Sequence, residues 1–143
     1  MTVSPLSIRR HFDAWTPALA CVALALSVSP AAAEQLANVL TRASSGPLRC
    51  EIQRNDKDGV VELIGVAEGV RPLAGHSSFV LTKSGSSSSS NINQGQRFSI
   101  KTGEQAVVGR ATVNLAPGSR VAIDLRLQSD DGLECHAQAS WER

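Results

Sequence analysis

Aromatic residues are scarce in this sequence, which has no tyrosine, three phenylalanines and two tryptophans. Proteins that read carbohydrate or single-stranded nucleic acid stack their ligands on aromatic side chains. Phe79, Phe98 and Trp141 lie on the apolar faces of predicted strands, so they offer no exposed platform. We therefore expect recognition to use backbone edges, charges and small polar groups.

The common signatures of catalysis and metal binding are also missing. The sequence has no G-x-S-x-G nucleophile elbow and no C-x-x-C motif. Its serines concentrate in a flexible stretch, where a catalytic group would be held poorly. Cys135 and His136 are adjacent, and adjacent residues of a strand point to opposite faces, so they cannot bind one ion together. We expect no enzyme activity and no catalytic, cofactor or metal site.

Long apolar runs are absent as well. The longest, Ala14–Val28, is interrupted by polar residues and falls short of the ~20 residues that span a bilayer. Arg9-Arg10 precedes it and Ala31-Ala32-Ala33 follows it, which is the pattern of a cleaved signal peptide. We expect residues 1–33 to be removed after export to the periplasm by the general secretory route. A twin-arginine route and a short membrane anchor are the alternatives.

Charge of neither sign is in large excess, because the net charge of the whole chain is +1. Without residues 1–33 the basic and acidic residues are equal in number, which argues against bulk binding to nucleic acid. We also expect no membrane partner of the mature protein. The charge is unevenly spread, since residues 71–129 contain seven basic and two acidic residues. Such segregation can steer a charged partner.

Three cysteines are present, and Cys21 lies in the expected signal peptide. Cys50 and Cys135 remain as an even pair in an exported protein, which predicts one structural disulfide. A bond between these two distant cysteines would lower the conformational entropy of the unfolded chain and so stabilise the folded state by ~4–5 kcal/mol. A pair of free or redox-active thiols is the alternative.

From Leu48 onward apolar residues recur with a period of two, which is the signal of β-strands. Turn residues separate the strands, and Asp58-Gly59 ends a segment typical of a hairpin. We predict an immunoglobulin-like β-sandwich over residues 48–143, with an eight-stranded or partly closed barrel as the alternative. Residues 34–47 have no clean period, which predicts an N-terminal tail or a short helix near Gln35–Arg42. Seven strands are predicted: from Leu48, Val60–Ala67, about Ser77–Thr82, Gln96–Lys101, Ala106–Leu115, Val121–Leu127 and Leu133–Trp141.

Basic residues of the middle strands fall opposite their strands' apolar residues, so we expect them to face solvent. Outward positions are also simply where charged residues belong, and charges there hinder edge-to-edge aggregation. That account leaves the excess of basic over acidic residues unexplained. The residues in question are Arg97, Lys101, Arg110 and Arg126, with Arg120 at a strand start.

A serine-rich stretch, Lys83–Gly95, connects two of the predicted strands, and its tip, Ser86–Ser89, is typical of a solvated connection. Its two flanks resemble the signature segment of the CsgH-type domain, a small periplasmic protein of curli systems grouped with the CsgC-like chaperones. The flanks are Lys83, Ser84 and Gly85 before the tip, and Ser90, Asn91, Ile92, Asn93, Gln94 and Gly95 after it. The resemblance also covers Leu48, Cys50, Ile52, Phe79, Leu81, Leu133 and Cys135.

This resemblance implies a monomeric domain that keeps the curli major subunit, or a similar amyloidogenic secreted protein, from forming amyloid before export. It implies no catalysis. CsgC-type members carry a C-x-C motif once interpreted as a redox site, and here Ile52 takes the place of the second cysteine. The family's inhibition is attributed to a basic strand surface, and Arg97, Lys101, Arg110 and Arg126 are the residues that could provide it. The segment Asn91–Gly95 could also pair with an Asn/Gln-rich client.

Two other functions are open from the residues alone. A structural or adhesive cell-surface module would use the same sandwich for protein–protein contacts, although pilus subunits usually leave a place for a donor strand. A periplasmic thiol oxidoreductase would need a reducible and accessible Cys50–Cys135 bond.

Overall fold

The structure, a computed structural model, describes residues 38–85 and 88–143. The expected signal peptide and Ser86-Ser87 of the serine-rich tip lie outside the described residues. The described chain is all-β, and none of its residues belongs to a helix that could span a membrane. Its eight strands are β1 (Asn38–Ser45), β2 (Leu48–Lys57), β3 (Val60–Gly69), β4 (Leu73–Ser84), β5 (Ser90–Ile100), β6 (Gln105–Asn114), β7 (Arg120–Ser129) and β8 (Glu134–Glu142).

The strands form two antiparallel four-stranded sheets. The first sheet has the order β1-β2-β3-β6 and the second has the order β5-β4-β7-β8. The chain crosses between the sheets after β3, β5 and β6, which gives the connectivity of an immunoglobulin-like sandwich. The predicted sandwich is confirmed, and a closed barrel is excluded because the two sheets are separate. The hairpin of β2 and β3 turns at Asp58-Gly59, where both residues have positive φ, as the sequence predicts.

The prediction of a tail over residues 34–47 is wrong for residues 38–45, which form β1, and the short helix is not formed there. The strand count is therefore eight instead of seven. β1 pairs with β2 along its length, with Leu40 and Ala43 packed against the core. Arg42 donates to the buried carboxylate of Glu51 at 2.7 Å. An edge strand that is half exposed lacks clean alternation, so its signal in the sequence is weak.

The core is built around Phe79, which two glycines accommodate. Gly65 of β3 and Gly109 of β6 are directly paired across the first sheet. A Cβ atom on Gly109 would lie 2.4 Å from the Phe79 Cγ, and one on Gly65 would lie 2.9 Å from its Cδ2. The ring therefore fills the space that the two absent side chains leave, and it is fully buried.

A β-bulge in β6 reverses part of the predicted inside–outside pattern. Val107 pairs with Val66 and Gly109 pairs with Gly65, so Val108 is the extra residue. Strict alternation along β6 would place Val107 on the same face as Gly109, but Val107 is 49% exposed, whereas Val108 is fully buried. The strict alternation fails here because the bulge adds one residue to the count along β6.

The serine-rich stretch is mostly strand, and the prediction of a long connection is corrected. β4 continues to Ser84, and β5 begins at Ser90, because their ladder extends to the pair Lys83 and Ser90. β4 is also paired with β7 as far as Ser84. Tertiary pairing thus overrides the low strand propensity of asparagine, glycine and serine in this segment.

The sandwich has two lateral sides with different chemistry. On the disulfide side, β1 and β2 lie next to β8, and Cys50 is bonded to Cys135 with a Cα–Cα distance of 6.0 Å. On the other side, β5 of the second sheet lies beside β6 of the first. We call this the amide side, because the side-chain amides of Gln94 and Gln96 contact β6 there. β6 ends its sheet there and β5 ends the other, so each presents one backbone edge without a neighbouring strand.

Candidate functional site

Two of the four predicted basic residues lie on the outer face of the second sheet. Strand pairing places Arg97 of β5 opposite His76 of β4, and Arg126 of β7 between Ser78 and His136. Both arginine side chains are more than half exposed, as the alternation of the sequence predicts. All the histidines of the described chain therefore lie on this face, each paired with an arginine.

Arg97 has two side-chain partners, Asp130 and His76. Its Nη2 donates to Asp130 Oδ2 at 2.7 Å, and its Nη1 lies 3.3 Å from His76 Nε2. Asp130 follows β7 in the turn to β8, and its backbone amide donates to the carbonyl of Ala74. The carboxylate is therefore positioned by the fold, while the guanidinium stays exposed to solvent.

Asp124 is the acidic centre of the same face. Its carboxylate accepts from Arg126 Nε at 3.1 Å and from Gln138 Nε2 at 2.6 Å, and it lies 2.6 Å from His136 Nε2. Partial burial raises the pKa of Asp124, but the hydrogen bonds from His136 and Gln138 and the nearby positive charges outweigh it, so the pKa is lower than usual. The carboxylate thus stays ionised and orients Arg126.

The other two predicted residues lie elsewhere. Arg110 is on β6 in the first sheet, and its Nη1 lies 3.2 Å from Glu62 Oε1 of β3. Lys101 follows the end of β5, and its backbone amide donates to Glu104 at 3.1 Å. The fold therefore does not gather Arg97, Lys101, Arg110 and Arg126 into one surface. Three of them are also paired with carboxylates, so no continuous unpaired basic strip forms.

The residues of the family-like segment divide between the two sheet faces. Asn91, Asn93 and Gly95 share the outer face with Arg97, whereas Ile92 packs partly against the core. Before the tip, the Lys83 ammonium donates to Ser88 Oγ at 3.0 Å, Ser84 ends β4, and Gly85 lies against Ser119. Ser90 begins β5 opposite Lys83. Gln94 differs from these residues, because its side chain extends from β5 to the neighbouring sheet.

Gln94 contacts the backbone of β6 at Arg110 with both ends of its amide. Its Nε2 donates to the Arg110 carbonyl at 2.7 Å, and its Oε1 accepts from the Arg110 amide at 2.9 Å. Two residues along β5, Gln96 Nε2 donates to the Val107 carbonyl at 3.0 Å. The two glutamines thus occupy the edge of β6 that has no neighbouring strand.

A buried hydroxyl completes this row of contacts. Ser77 of β4 is buried, and its Oγ is 3.2 Å from the Val108 carbonyl and 3.1 Å from the Gln96 carbonyl. Val108 lies at the bulge, where the ladder is locally disrupted, and the hydroxyl, which has one hydrogen, can donate to either of these two carbonyls. We call Ser77, Gln94 and Gln96 the polar seam of the amide side.

The disulfide confirms the predicted pairing and lies inside the protein. Cys50 is 1% exposed and Cys135 is 3% exposed, and both belong to the hydrophobic core. Among residues 38–85 and 88–143, no group of three or more His, Cys, Asp or Glu side chains is placed to hold a metal ion.

Sequence reasoning missed Asp124 and the polar seam. Asp124 and Arg126 are two residues apart on one strand, and His136 and Gln138 are two apart on the next, so a pairing register would have brought them together. The contacts of Ser77 and Gln96 depend on the bulge and on how the two sheets meet, and neither is encoded in local sequence periodicity.

Comparison with known proteins agrees with this architecture. The model of the CsgH protein family matches residues 49–136, which is more than half of the chain. The solution structure of R. palustris CsgH aligns with a TM-score of 0.53 and 24% identity, over 66% of this chain and 91% of that one.

The E. coli curli protein CsgC aligns with a TM-score of 0.55 and 16% identity, over 64% of this chain and 95% of that one. These two similarities concern the fold. A search of curated proteins gave no match. On the evidence of the family match over residues 49–136, the chain belongs to the CsgH family.

Proposed function

We propose that this protein is a periplasmic, non-enzymatic chaperone of curli assembly that suppresses premature amyloid formation by the curli major subunit. Membership of the CsgH family is the observation that carries the proposal, and a relative of the same fold is named a curli protein. The proposal includes a mature monomer that begins after residue 33 and needs no cofactor.

The surface supports a polar mode of recognition. Val39, Val70 and Val107 are the exposed large apolar side chains of the described chain, and they lie on separate elements or connections. A chaperone that works through a broad apolar patch would present a larger contiguous area. The exposed arginines of the outer face of the second sheet, Arg97 and Arg126, offer the alternative of binding an acidic disordered segment.

The carboxylates that now pair with Arg97 and Arg126 do not prevent these arginines from binding a client. Exposed ion pairs contribute only about 0–1 kcal/mol each, because water solvates both charges well. A carboxylate of the client can therefore replace Asp130 or Asp124 at small cost. Such binding is weak, is screened by salt and favours encounter over residence, which suits inhibition at low stoichiometry.

The competing functions have less support. An adhesive subunit that awaits a donor strand would lack a strand, whereas each sheet of this sandwich has four strands of its own. A thiol oxidoreductase requires thiolate attack on an accessible sulfur, and both sulfurs here belong to the core. These arguments favour the chaperone.

The test is fibril formation by a purified curli major subunit, followed by dye fluorescence with this protein well below equimolar. We expect a longer lag phase, and an unchanged lag would refute the proposal.

Neutralising Arg97, Lys101, Arg110 and Arg126 together should shorten that lag again. Because the four are divided between surfaces, the pair Arg97→Gln and Arg126→Gln should cause most of the loss. The matched control, Arg49→Gln with Arg71→Gln, removes equal charge from exposed ion pairs elsewhere. Equal loss in both pairs would show that net charge, and not this face, guides the client.

A further inference from the structure

The free edge of β6 carries backbone groups that side chains, not a strand, satisfy. In an antiparallel ladder a hydrogen-bonded residue pair exchanges one N–H···O bond in each direction. Gln94 reproduces that exchange at Arg110, because its amide both donates and accepts there, at 2.7 and 2.9 Å. The side-chain amide thus stands where the peptide group of a neighbouring strand would stand.

The backbone groups of β6 that hydrogen-bond to Gln94 and Gln96 form a row along its free edge. Val107 and Arg110 present their backbone toward β5, on either side of the bulge. The alternation of the ladder aims the backbone of Thr112 toward the same edge. Both glutamine contacts are made by long, rotatable side chains at the surface, so their displacement does not disturb the core.

The charges around this edge select the kind of segment that can approach. β5 and β6 contain no acidic residue, and their basic residues are Arg97 and Arg110. A symmetric pairing of two β6 edges centred on Arg110 would place two arginines opposite each other, each beside its own Glu62, and like charges directly opposite across strands are destabilising. An extended segment that is neutral or acidic meets no such repulsion.

We propose that the edge of β6 from Val107 to Thr112 is a strand-addition site for an extended, neutral or acidic segment of the client, held closed by the Gln94 and Gln96 amides. The proposal rests on the proposed function, since the client is the curli major subunit. The client displaces the glutamines, and its backbone takes over their hydrogen bonds. A client segment held in this way is unable to pair with another client chain, which is the step that amyloid nucleation requires.

The structure supplies matched variants that separate this mechanism from attraction by charge. Gln94→Ala opens the edge, whereas Asn93→Ala alters the adjacent residue on the outer face and leaves the edge contacts intact. Arg110→Gln removes the charge but keeps the backbone N–H. Arg110→Pro removes both, and an edge strand tolerates proline where the N–H faces away from the ladder.

The experiment measures the lag phase of the purified curli major subunit against the concentration of each purified variant. We expect Gln94→Ala to give the wild-type delay at roughly fivefold lower concentration, because the client no longer competes with the side-chain amide. Asn93→Ala leaves the edge closed, so it should give no such gain. Arg110→Pro should lose more of the delay than Arg110→Gln; if Arg110→Pro does not fold, the comparison of Gln94→Ala with Asn93→Ala decides alone.

The outcomes separate the two proposals. If the wild type gives no delay, the proposed function fails and this inference fails with it. If the wild type delays fibrils but Gln94→Ala and Asn93→Ala behave alike, only the strand-addition site is refuted. If Gln94→Ala dimerises in sedimentation without a client, the occupant of the edge is a second copy, which also refutes the site as proposed.

Discussion

On one side of the sandwich, next to β1 and β8, a covalent bond joins the two sheets, and on the other side, between β5 and β6, side-chain hydrogen bonds do so. The disulfide side buries Cys50 and Cys135 and places the Arg54 guanidinium 5.0 Å from the ring centroid of Trp141. The amide side closes with Ser77, Gln94 and Gln96. A covalent closure is permanent, whereas an amide can be exchanged for a peptide group.

The difference assigns stability to one side and recognition to the other. The disulfide acts mainly on the unfolded chain by limiting its conformations. A side-chain hydrogen bond contributes only about 0.5–1.5 kcal/mol net, because water competes for the same groups. The amide side can therefore open at small cost while the rest of the sandwich stays folded. The predictions below test this contrast.

Removing the disulfide should have the largest effect. We expect Cys50→Ala with Cys135→Ala to lower the free energy of unfolding by about 2–5 kcal/mol, because the unfolded chain regains its freedom. Chemical denaturation monitored by circular dichroism measures the change. Wild type in mild reductant is the control, and it should remain as stable as untreated protein because both sulfurs are buried. A double variant as stable as the wild type would contradict the contrast.

Gly109→Ala should be next, since the new methyl group would meet the Phe79 ring at 2.4 Å. We expect a loss of about 1–3 kcal/mol from overpacking. Gly95→Ala is the matched control in the other strand of the amide side, where the nearest atom to the new Cβ would be the Ser77 carbonyl oxygen at 3.6 Å. Thermal unfolding of the two variants should therefore differ clearly. Equal melting temperatures would mean that Phe79 can move aside.

Ser77→Ala should have a smaller effect that is specific to the polar seam. It removes the hydroxyl that can donate to the Val108 carbonyl, and a side-chain hydrogen bond contributes about 0.5–1.5 kcal/mol net. Ser78→Ala, one residue along on the outer face, should cost less than about 0.5 kcal/mol. Denaturant titrations of the two variants provide the measurement. If the two serine variants are equally stable, the seam does not hold the sheets together.

Asp124 should give the smallest effect, and it should depend on pH. Its folded-state pKa is lowered, so its contribution to stability is present above the unfolded value of about 3.9 and is lost as the pH falls through the folded pKa. Asp124→Asn should thus lower stability by less than about 1 kcal/mol at neutral pH and leave it unchanged in strong acid. Thermal melting curves of the variant and the wild type, recorded from strong acid to neutral pH, measure the difference in stability. A greater loss in acid than at neutral pH would contradict this prediction.

Much of the fold could be predicted because strand periodicity is a strong signal. Phe79, Leu81 and the alternating residues of β7 are buried as expected, and the two cysteines form the predicted bond. Two of the failures have one physical origin, which is the pairing of a weak strand with the strand next to it in the chain. β1 is stabilised by β2, and the extension of β5 is stabilised by β4, although neither segment has a strong propensity of its own.

The candidate site was predicted less well than the fold. The alternation of inward and outward residues correctly placed Arg97, Arg110 and Arg126 at the surface. It could not assign them to sheets, because strand order is not a local property. Gln94 was predicted only as part of a family-like segment. Its contact with Arg110 depends on two sheet edges meeting, and only the three-dimensional structure shows that.

Hydrogen exchange at the Arg110 backbone amide tests the central claim most directly. We expect this amide to be protected in the wild type, where Gln94 accepts its hydrogen bond, and exposed in Gln94→Ala but not in Asn93→Ala. Adding freshly unfolded curli major subunit to Gln94→Ala should restore the protection, because the client backbone takes the place of the amide. If the Arg110 amide of Gln94→Ala stays unprotected while the client's fibrils are still delayed, the edge of β6 is not where the client binds.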